Sequence, residues 1–299
     1  MNQEFMLLLT EKTGFPAEAR QAYREAAQTL AASGQAEAMD GAIEFYYEND
    51  FSTELTDPLI QEMAERSGVP KDTVWGLFLA FAAENARQAY LDNGISEQVF
   101  WDTFSDLRYK VLECKANHGV WGNFVPFWYP IFYRCDIVKL GRLEYETDTF
   151  RGPACTVAGR RIQEGQKLLS IHIPSSGEPF DTAARLESYK LAYDFFRDLR
   201  GDGPLVCKCH SWLLYPEYKK VLPETSNIVK FMDDFTIIRE DDGSFEDAWR
   251  VFGPDAGKPV GELPEATSMQ RAFKRHLLAG GKTGCGLGIL LFDGEKLLK

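Results

Sequence analysis

The chain has 299 residues and a formal net charge of -12, from 33 lysines and arginines against 45 aspartates and glutamates. This length exceeds what one hydrophobic core usually serves, so we expect two domains, and the negative charge argues against nucleic acid and anionic membranes as partners. No apolar run approaches the roughly 20 residues of a membrane span, the first residues lack a signal-peptide pattern, and the six scattered cysteines do not make a disulfide framework. We therefore predict a cytoplasmic protein.

The first 118 residues have apolar side chains at spacings of three and four, which is typical of amphipathic helices. Residues that begin or end helices divide this stretch; the predicted beginnings are at Pro16, Asp57 with Pro58, Pro70 and Ser96, and one end is at Gly68. The helix after Pro70 is apolar almost all round between Val74 and Ala83, so it is the predicted centre of a bundle. The helix after Ser96 is predicted to continue to Val111. We expect five helices and an all-helical domain at residues 1–118.

The aromatic stretch HGVWGNFVPFWYPIFYRC, residues 118–135, interrupts the helical spacing. We place the domain boundary at its start, which gives a second domain at residues 119–299. Its aromatic side chains suit packing between two domains, because such residues bury the largest areas, and a wall facing a ligand is the alternative.

From Leu140 onward, short β-like runs alternate with helices. The expected strands are GRLEYET, KLLSIHIP, PLVCKCHSWLL, FTIIRE, AWRVF and CGLGILLF, and the expected helices are DTAARLESYKLAYDFFRDLR, PEYKKVLPETSNIVKFMDDF and SMQRAFKRHLLAGG. The helix between KLLSIHIP and PLVCKCHSWLL predicts a parallel crossover, whereas FTIIRE and AWRVF are predicted to pair antiparallel around Asp242 and Gly243. The predicted fold class is α+β, with a mixed sheet and flanking helices behind the helical domain.

Two of the four histidines lie in apolar strands, which makes them candidates for a functional site. In KLLSIHIP, strand alternation places Ser170 and His172 on one face, and Pro174 ends the strand because proline has no amide hydrogen. The second histidine is His210, in PLVCKCHSWLL. The alternative for either is a buried histidine that only satisfies a hydrogen bond.

The turn SSGEPFD leads from KLLSIHIP into a helix, so its amides lie near the positive end of that helix. The amides of Ser175, Ser176 and Gly177 are candidates for binding an anion there. The alternative is an ordinary capped turn, in which the carboxylates of Glu178 and Asp181 accept hydrogen bonds from those amides and repel a phosphate.

Nucleophilic and metal chemistry are not favoured in PLVCKCHSWLL. Alternation points His210 and Ser211 to opposite faces, and no G-x-S-x-G elbow surrounds the serine. Cys207 and Cys209 have no second ligand cluster at a familiar spacing, so we interpret them as buried free cysteines and expect no metal.

The glycine-rich segment GGKTGCGLG follows a helix and enters a strand, which is the reverse of the order in a phosphate-binding loop. We interpret Gly280 and Gly281 as a helix end, and Gly286 and Gly288 as sites of close backbone approach. Lys282 is a candidate to lie near a ligand.

Five segments together resemble a bacterial family in which a helical N-acyltransferase domain precedes a GNAT-like C-terminal domain; they are LGRLEYE, SIHIP, SYKLAYDFF, CHSWLLYP and LPETSNIVKFMDDF. The resemblance implies transfer of an acyl group from acetyl-CoA or another acyl-CoA to an amine. It also implies that pantetheine lies between KLLSIHIP and PLVCKCHSWLL, with the pyrophosphate on the turn from Pro174 to Asp181. The superfamily's usual glycine-rich turn is absent, and SSGEPFD stands in its place.

Within this resemblance, acyl transfer needs a base, a donor to the oxyanion and an acid for the thiolate. The first candidate base is His172, and the amide of Ile173 is the candidate oxyanion donor. Ser211 or Tyr215 is the candidate acid. Glu144 is a second candidate base, with a solvated strand residue as its alternative.

The leading hypothesis is therefore an acyl-CoA-dependent N-acyltransferase whose acceptor is an unidentified small-molecule or peptide amine. A non-catalytic binding or sensor module on the same fold is the alternative from another class. A third possibility is a hydrolase that uses Cys209 or Ser211 with His172.

Overall fold

The computed structural model describes residues 1–299, which form two compact contact units. Unit 1 comprises residues 1–139 and 174–176, and unit 2 comprises residues 140–173 and 177–299. These units are defined by contacts within the folded chain and not by independent folding. The domain boundary predicted after residue 118 therefore stays a prediction. None of the helices combines the length and the apolar character that a membrane span requires.

Unit 1 is helical, and its buried centre is the helix predicted after Pro70. Its helices are α1 (Gln3–Lys12), α2 (Ala17–Ala32), α3 (Ala36–Glu48), α4 (Thr53–Ser67), α5 (Lys71–Asp92), α6 (Glu97–Phe104), α7 (Asp106–His118), a 3-10 turn (Pro126–Trp128) and α8 (Pro130–Tyr133). Every residue from Val74 to Ala83 in α5 is buried, which confirms its predicted place. The prediction of five helices before residue 118 was wrong, because seven are present there.

Two predicted helix limits in unit 1 were also wrong. Helix α4 begins at Thr53 with Ser52 as its cap, so Pro58 lies inside the helix and not at its start. The helix predicted from Ser96 to Val111 divides at Ser105, whose hydroxyl donates to the carbonyl of Asp102. Such side-chain hydrogen bonds compete with the backbone hydrogen bonds of a helix. The spacing of apolar residues, on which the prediction was based, does not reveal them.

The aromatic stretch supplies buried side chains to unit 1. Tyr129 and Tyr133 are buried, and their hydroxyls donate to Asp106 Oδ2 at 2.9 Å and to the carbonyl of Leu79 at 2.5 Å. Phe127 of the same stretch is 72% exposed. Packing within unit 1 is therefore one role of this segment.

The remaining strands and helices follow in chain order. The strands are β1 (Ile137–Leu140), which spans the unit boundary, β2 (Leu143–Thr149), β3 (Cys155–Val157), β4 (Arg160–Ile162), β5 (Lys167–His172), β6 (Leu205–Ser211), β7 (Thr236–Asp242), β8 (Gly284–Phe292) and β9 (Leu297–Leu298). The helices are α9 (Thr182–Phe195), α10 (Arg197–Arg200), α11 (Asn227–Asp233), α12 (Trp249–Phe252) and α13 (Ser268–Leu278).

The sheet of unit 2 is mixed, as predicted. Its strands run in the order β2-β5-β6-β8-β7, with β9 beside β8. Strands β5 and β6 are parallel and are joined through α9, whereas the other pairs are antiparallel. The separate hairpin β3-β4 was not predicted; it packs with Leu168, Val206 and Leu291 on one face of the sheet. Helix α9 lies against the other face, where Ser188 and Tyr145 share a 2.9 Å hydrogen bond.

The hairpin predicted around Asp242 and Gly243 is absent. The segment AWRVF contains helix α12 and not a strand, and β7 pairs with β8 instead. The amide of Gly243 donates to the carbonyl of Thr283 at 3.0 Å, which continues this pairing past the end of β7. The helix predicted from Pro216 onward is likewise replaced by a 3-10 turn (Pro216–Lys220) and the short α11.

Candidate active site

The parallel pairing between β5 and β6 ends before either strand does. The last pair is Ser170 with Lys208, whereas β5 continues to His172 and β6 to Ser211. Strand β6 stays paired with β8 over the same stretch. The facing edges of β5 and β6 therefore carry backbone groups outside their common ladder, where an extended ligand can bind. We use the word gap for these strand edges beyond the last pair; they lie at the carboxyl ends of two parallel strands, a common place for ligands in open sheets.

His172 is held by a carboxylate at the end of β5. Its Nε2 atom lies 2.8 Å from Oε2 of Glu146, and the two side chains are 26% and 21% exposed. Glu146 belongs to β2 and pairs across the ladder with Ser170, so the contact is diagonal on one face of the sheet. A carboxylate in this position fixes the orientation of the imidazole, which is what a general base requires.

Glu144 lies directly opposite His172 in the ladder between β2 and β5. The side chain is buried, with 1% of the residue exposed, so the alternative of a solvated strand residue was wrong. Its role as a second base stays a prediction. The alternation of LEYET places Glu144 and Glu146 on the same face, and this pattern was the available signal for Glu146, which the sequence analysis missed.

His210 lies on the same face of the sheet as His172. Its hydrogen-bond partner, however, is in β7, which lies in the direction away from β5. Its Nε2 atom is 3.0 Å from Asp241 Oδ2, and the same oxygen accepts a 2.9 Å hydrogen bond from Arg239. Partial burial tends to raise the pKa of Asp241, but the hydrogen bonds from Arg239 and His210 lower it below its ordinary value. The half-exposed His210 is thus paired toward β7, away from β5.

The two predicted acids already make hydrogen bonds. Ser211 Oγ accepts from the amide of Leu213 at 3.2 Å, and the hydroxyl of the buried Tyr215 donates to Asp242 Oδ1 at 2.6 Å. Burial, and then this hydrogen bond, raises the pKa of Tyr215, so the phenol is protonated at neutral pH as an acid must be. Lys282 donates to the other oxygen of Asp242 at 2.6 Å, which connects three side chains in series.

The turn predicted to bind an anion does not lie in the first turn of α9. That helix begins at Thr182, and Asp181 caps it by accepting from the amide of Ala184 at 2.9 Å. The candidate amides precede it in the chain; they are those of Ser175, Ser176 and Gly177. Asp181 thus caps α9, as in the capped-turn alternative, but the amide that it accepts from belongs to Ala184 and not to the three candidates. The roles of these three amides and of the Ile173 amide stay predictions.

Arg185 fixes the last part of this turn from inside unit 2. It is fully buried, and its Nη1 donates to the carbonyl of Phe180 at 3.0 Å while its Nε donates to Asp234 at 2.7 Å. Asp234 also accepts from the hydroxyl of Tyr189 at 2.9 Å. The entry into α9 is therefore held by a buried ion pair.

Family comparisons decide the relationship. The model described as a GNAT-like C-terminal domain matches residues 137–290, and the model described as an N-acyltransferase N-terminal domain matches residues 5–135. The chain belongs to this two-domain acyltransferase family. The family and the α+β fold class predicted from the sequence are thus confirmed.

Solved acyltransferases have the same fold as this family member. An acyltransferase mutant in complex with octanoyl-CoA is 21% identical, with a TM-score of 0.75 over 97% of this chain and 88% of that one. An acyltransferase in complex with decanoyl-CoA is 26% identical, with a TM-score of 0.59 over 73% of this chain and 64% of that one. Another, in complex with CoA and 10C-Teicoplanin, is 25% identical, with a TM-score of 0.61 over 72% and 66%. The last two alignments span just under two thirds of those chains. A search of curated proteins gave no match.

In this family member, the structure places Cys209 apart from the histidine that a hydrolase would need beside it. Cys209 is fully buried, and burial raises the pKa of its thiol to about 12. It alternates with Lys208 and His210 along β6, so it lies on the opposite sheet face from His172. Cys207 and Cys209 are free, buried cysteines, as predicted.

Proposed function

We propose that the protein transfers an acyl group from acyl-CoA to the amine of a small-molecule acceptor. The observation that carries the proposal is the gap between β5 and β6, with the His172–Glu146 pair at its edge, in a chain of this family. The gap suits the extended pantetheine arm, whose amides can bond to strand edges. The thioester would then lie near the end of β5.

The proposed chemistry is direct transfer. The acceptor reacts as the neutral amine: its nitrogen attacks the thioester carbonyl, His172 takes the proton that this nitrogen loses, and a carbon–nitrogen bond forms as the carbon–sulfur bond breaks. The amide of Ile173 donates to the oxyanion in between. Tyr215 or Ser211 gives a proton to the departing thiolate, so the proton gained by His172 balances the proton lost by the acid.

We propose that the pantetheine arm and the acyl chain provide most of the donor's binding energy. The entry to α9 suits a phosphate poorly. The carboxylate of Asp181 already accepts a hydrogen bond from the amide of Ala184, and it adds a negative charge there. Solved acyltransferases of this fold are complexes with octanoyl-CoA and decanoyl-CoA, which favours a donor of medium length over acetyl-CoA. Each buried methylene contributes about 0.8 kcal/mol, so longer chains offset a weak phosphate site.

The acceptor is proposed to be an amine on a polar small molecule of the glycopeptide kind. Two solved acyltransferases of this fold are described in complexes with teicoplanin or its 10C derivative. Acidic side chains on the sheet face beside His172, Glu144 and Glu146 among them, attract the ammonium form of the acceptor, which releases one proton to solvent before the neutral amine reacts.

The test is donor binding followed by turnover. Thermal shifts would be measured with CoA, acetyl-CoA, octanoyl-CoA and decanoyl-CoA, and thiol release would then be followed with amine acceptors. A ligand at 100 times its dissociation constant adds about 2.7 kcal/mol to the stability, which moves the midpoint by several degrees. We expect the shift to grow with chain length, and Asp181→Asn to strengthen the binding of free CoA.

A non-catalytic small-molecule binding or sensor module on this fold is the second candidate, favoured by the acidic cap of α9, which opposes a phosphate. It predicts no thiol release for any amine. Absence of any shift with millimolar decanoyl-CoA would contradict the transferase and favour this module.

A further inference from the structure

A cluster of three metal-ligating side chains lies in unit 1, apart from the residues assigned to acyl transfer. Asp72 is in the first turn of α5, and Cys114 and His118 are four residues apart in the last turns of α7. Residues four apart on a helix share a face. One donor atom from each lies within 4.8 Å of the others. His118 Nδ1 is 2.7 Å from Asp72 Oδ2, and Cys114 Sγ is 3.8 Å from that oxygen.

The loop that follows α7 holds these side chains in place. The amide of Asn123 donates to the carbonyl of Asp72 at 2.7 Å, and the ring of Phe124 lies 4.5 Å from that of His118. Gly122 passes so close to the backbone of Asp72 that a Cβ atom would collide with it. Tertiary contacts of the backbone therefore fix residue 72 next to residues 114–124. The backbone positions, and not only the side-chain rotamers, bring the three donor atoms close together.

The chemistry of the donors selects the metal. A thiolate, an imidazole and a carboxylate are all ligands of Zn²⁺, at about 2.3 Å for sulfur and about 2.0–2.2 Å for nitrogen and oxygen. Those bonds put neighbouring donors of a tetrahedral site about 3.3–3.7 Å apart, so only small side-chain shifts are needed here. Magnesium and calcium prefer oxygen ligands and do not favour the thiolate.

We propose that Asp72, Cys114 and His118 bind one zinc ion, with water as the fourth ligand. Coordination replaces the thiol proton, which leaves to solvent, and the two negative ligands balance the charge of the ion. Zinc joins the start of α5 to the end of α7 and stabilises this part of unit 1. His118 and Asp72 are 44% and 26% exposed on their side chains, which leaves an entry path, whereas Cys114 is buried.

The probe is Co²⁺ added to the full-length protein after treatment with a chelator. We expect one ion per chain, a thiolate-to-cobalt charge-transfer band in the near ultraviolet, the visible bands of a tetrahedral site, and displacement by Zn²⁺. Cys114→Ser should abolish the charge-transfer band. His118→Gln should weaken binding by more than about tenfold, which is within the loss seen even for outer-shell partners of metal ligands.

His118→Gln also guards against misfolding, since the half-exposed histidine is not part of the core and glutamine can still bond to Asp72. The matched controls are Cys285→Ser and His276→Gln, which lie in unit 2 and should leave binding unchanged. Added zinc should raise the melting temperature of the wild type and of both controls but not of His118→Gln. A missing charge-transfer band, a band that persists in Cys114→Ser, or binding only at millimolar metal would reduce the cluster to a plain His118–Asp72 ion pair and overturn the proposal.

Discussion

His172 Nε2 lies 2.8 Å from Glu146 Oε2, although the ladder places Glu144, and not Glu146, directly opposite His172. The imidazole therefore turns diagonally toward one of two available carboxylates. Such a contact holds the ring in one orientation at the end of β5, where the pairing with β6 has already ended.

Replacement of His172 by glutamine should lower kcat by about 10²- to 10⁴-fold, the usual contribution of a positioned base. Glu146→Gln should lower kcat less, because it removes only the charge that orients the base. The KM for the acyl-CoA should change little, because Glu146 is not proposed to contact the acyl-CoA. Thiol release under saturating donor checks both. The control is His276→Gln, and equal turnover by His172→Gln and this control would remove the base assignment.

Gly286 of β8 pairs with Ser211 at the end of β6, and Gly286→Ala should displace the backbone that follows β6. A Cβ at this position would collide with the carbonyl of Leu214, next to Tyr215, which confirms the predicted close approach. Overpacking of this kind costs about 1–3 kcal/mol. Urea denaturation and kcat should both show the loss, whereas Gly243→Ala, where no atom lies within 4 Å of the added carbon, should change neither. Equal stability of the two variants would contradict the prediction.

Arg185→Met should be strongly destabilising. The carboxylate of Asp234 is mostly buried, and the substitution removes the cation that pairs with it. Breaking a buried pair by removing one partner costs about 3–5 kcal/mol. The free energy of unfolding in urea measures this loss. The exposed pair of Lys258 and Asp255 is the control, and Lys258→Ala should cost less than about 1 kcal/mol. A small loss in Arg185→Met would show that water replaces the guanidinium.

Stability should fall steeply as the pH rises above about 10, the ordinary pKa of tyrosine in an unfolded chain. Burial raises the pKa of eight tyrosines in the folded protein; they are Tyr23, Tyr46, Tyr47, Tyr133, Tyr145, Tyr189, Tyr215 and Tyr218. Below pH 10 both states keep these protons, and above it the unfolded chain loses them first, so unfolding is favoured.

Each such tyrosine contributes a slope of up to about 1.4 kcal/mol per pH unit until its folded pKa, about 12 for Tyr218, is reached. Urea denaturation between pH 8 and pH 11 measures the slope, and Tyr218→Phe should reduce it. The part of the phenolate absorbance that Tyr218→Phe removes should appear together with unfolding. Its appearance near pH 10 in the folded protein would contradict the prediction.

The sequence by itself determined features that depend on neighbouring residues. The Ser96 cap and the left-handed Gly68 at the end of α4 were predicted, because caps and glycine turns act within one helical turn. Strand alternation correctly separated the faces of β5 and β6, and the helix between them predicted their parallel pairing. Candidate residues at the ends of these strands followed from the same alternation.

Tertiary structure decided what depends on distant partners. AWRVF is a short apolar run that suits a strand or a helix equally, and the pairing of β7 with β8 removed its predicted partner. Glu146 gained its place beside His172 only when residues 26 apart met across a ladder. Local sequence fixes a side chain's direction within its strand, but register and long-range contact choose its partner, because they are set by the burial of a whole sheet face.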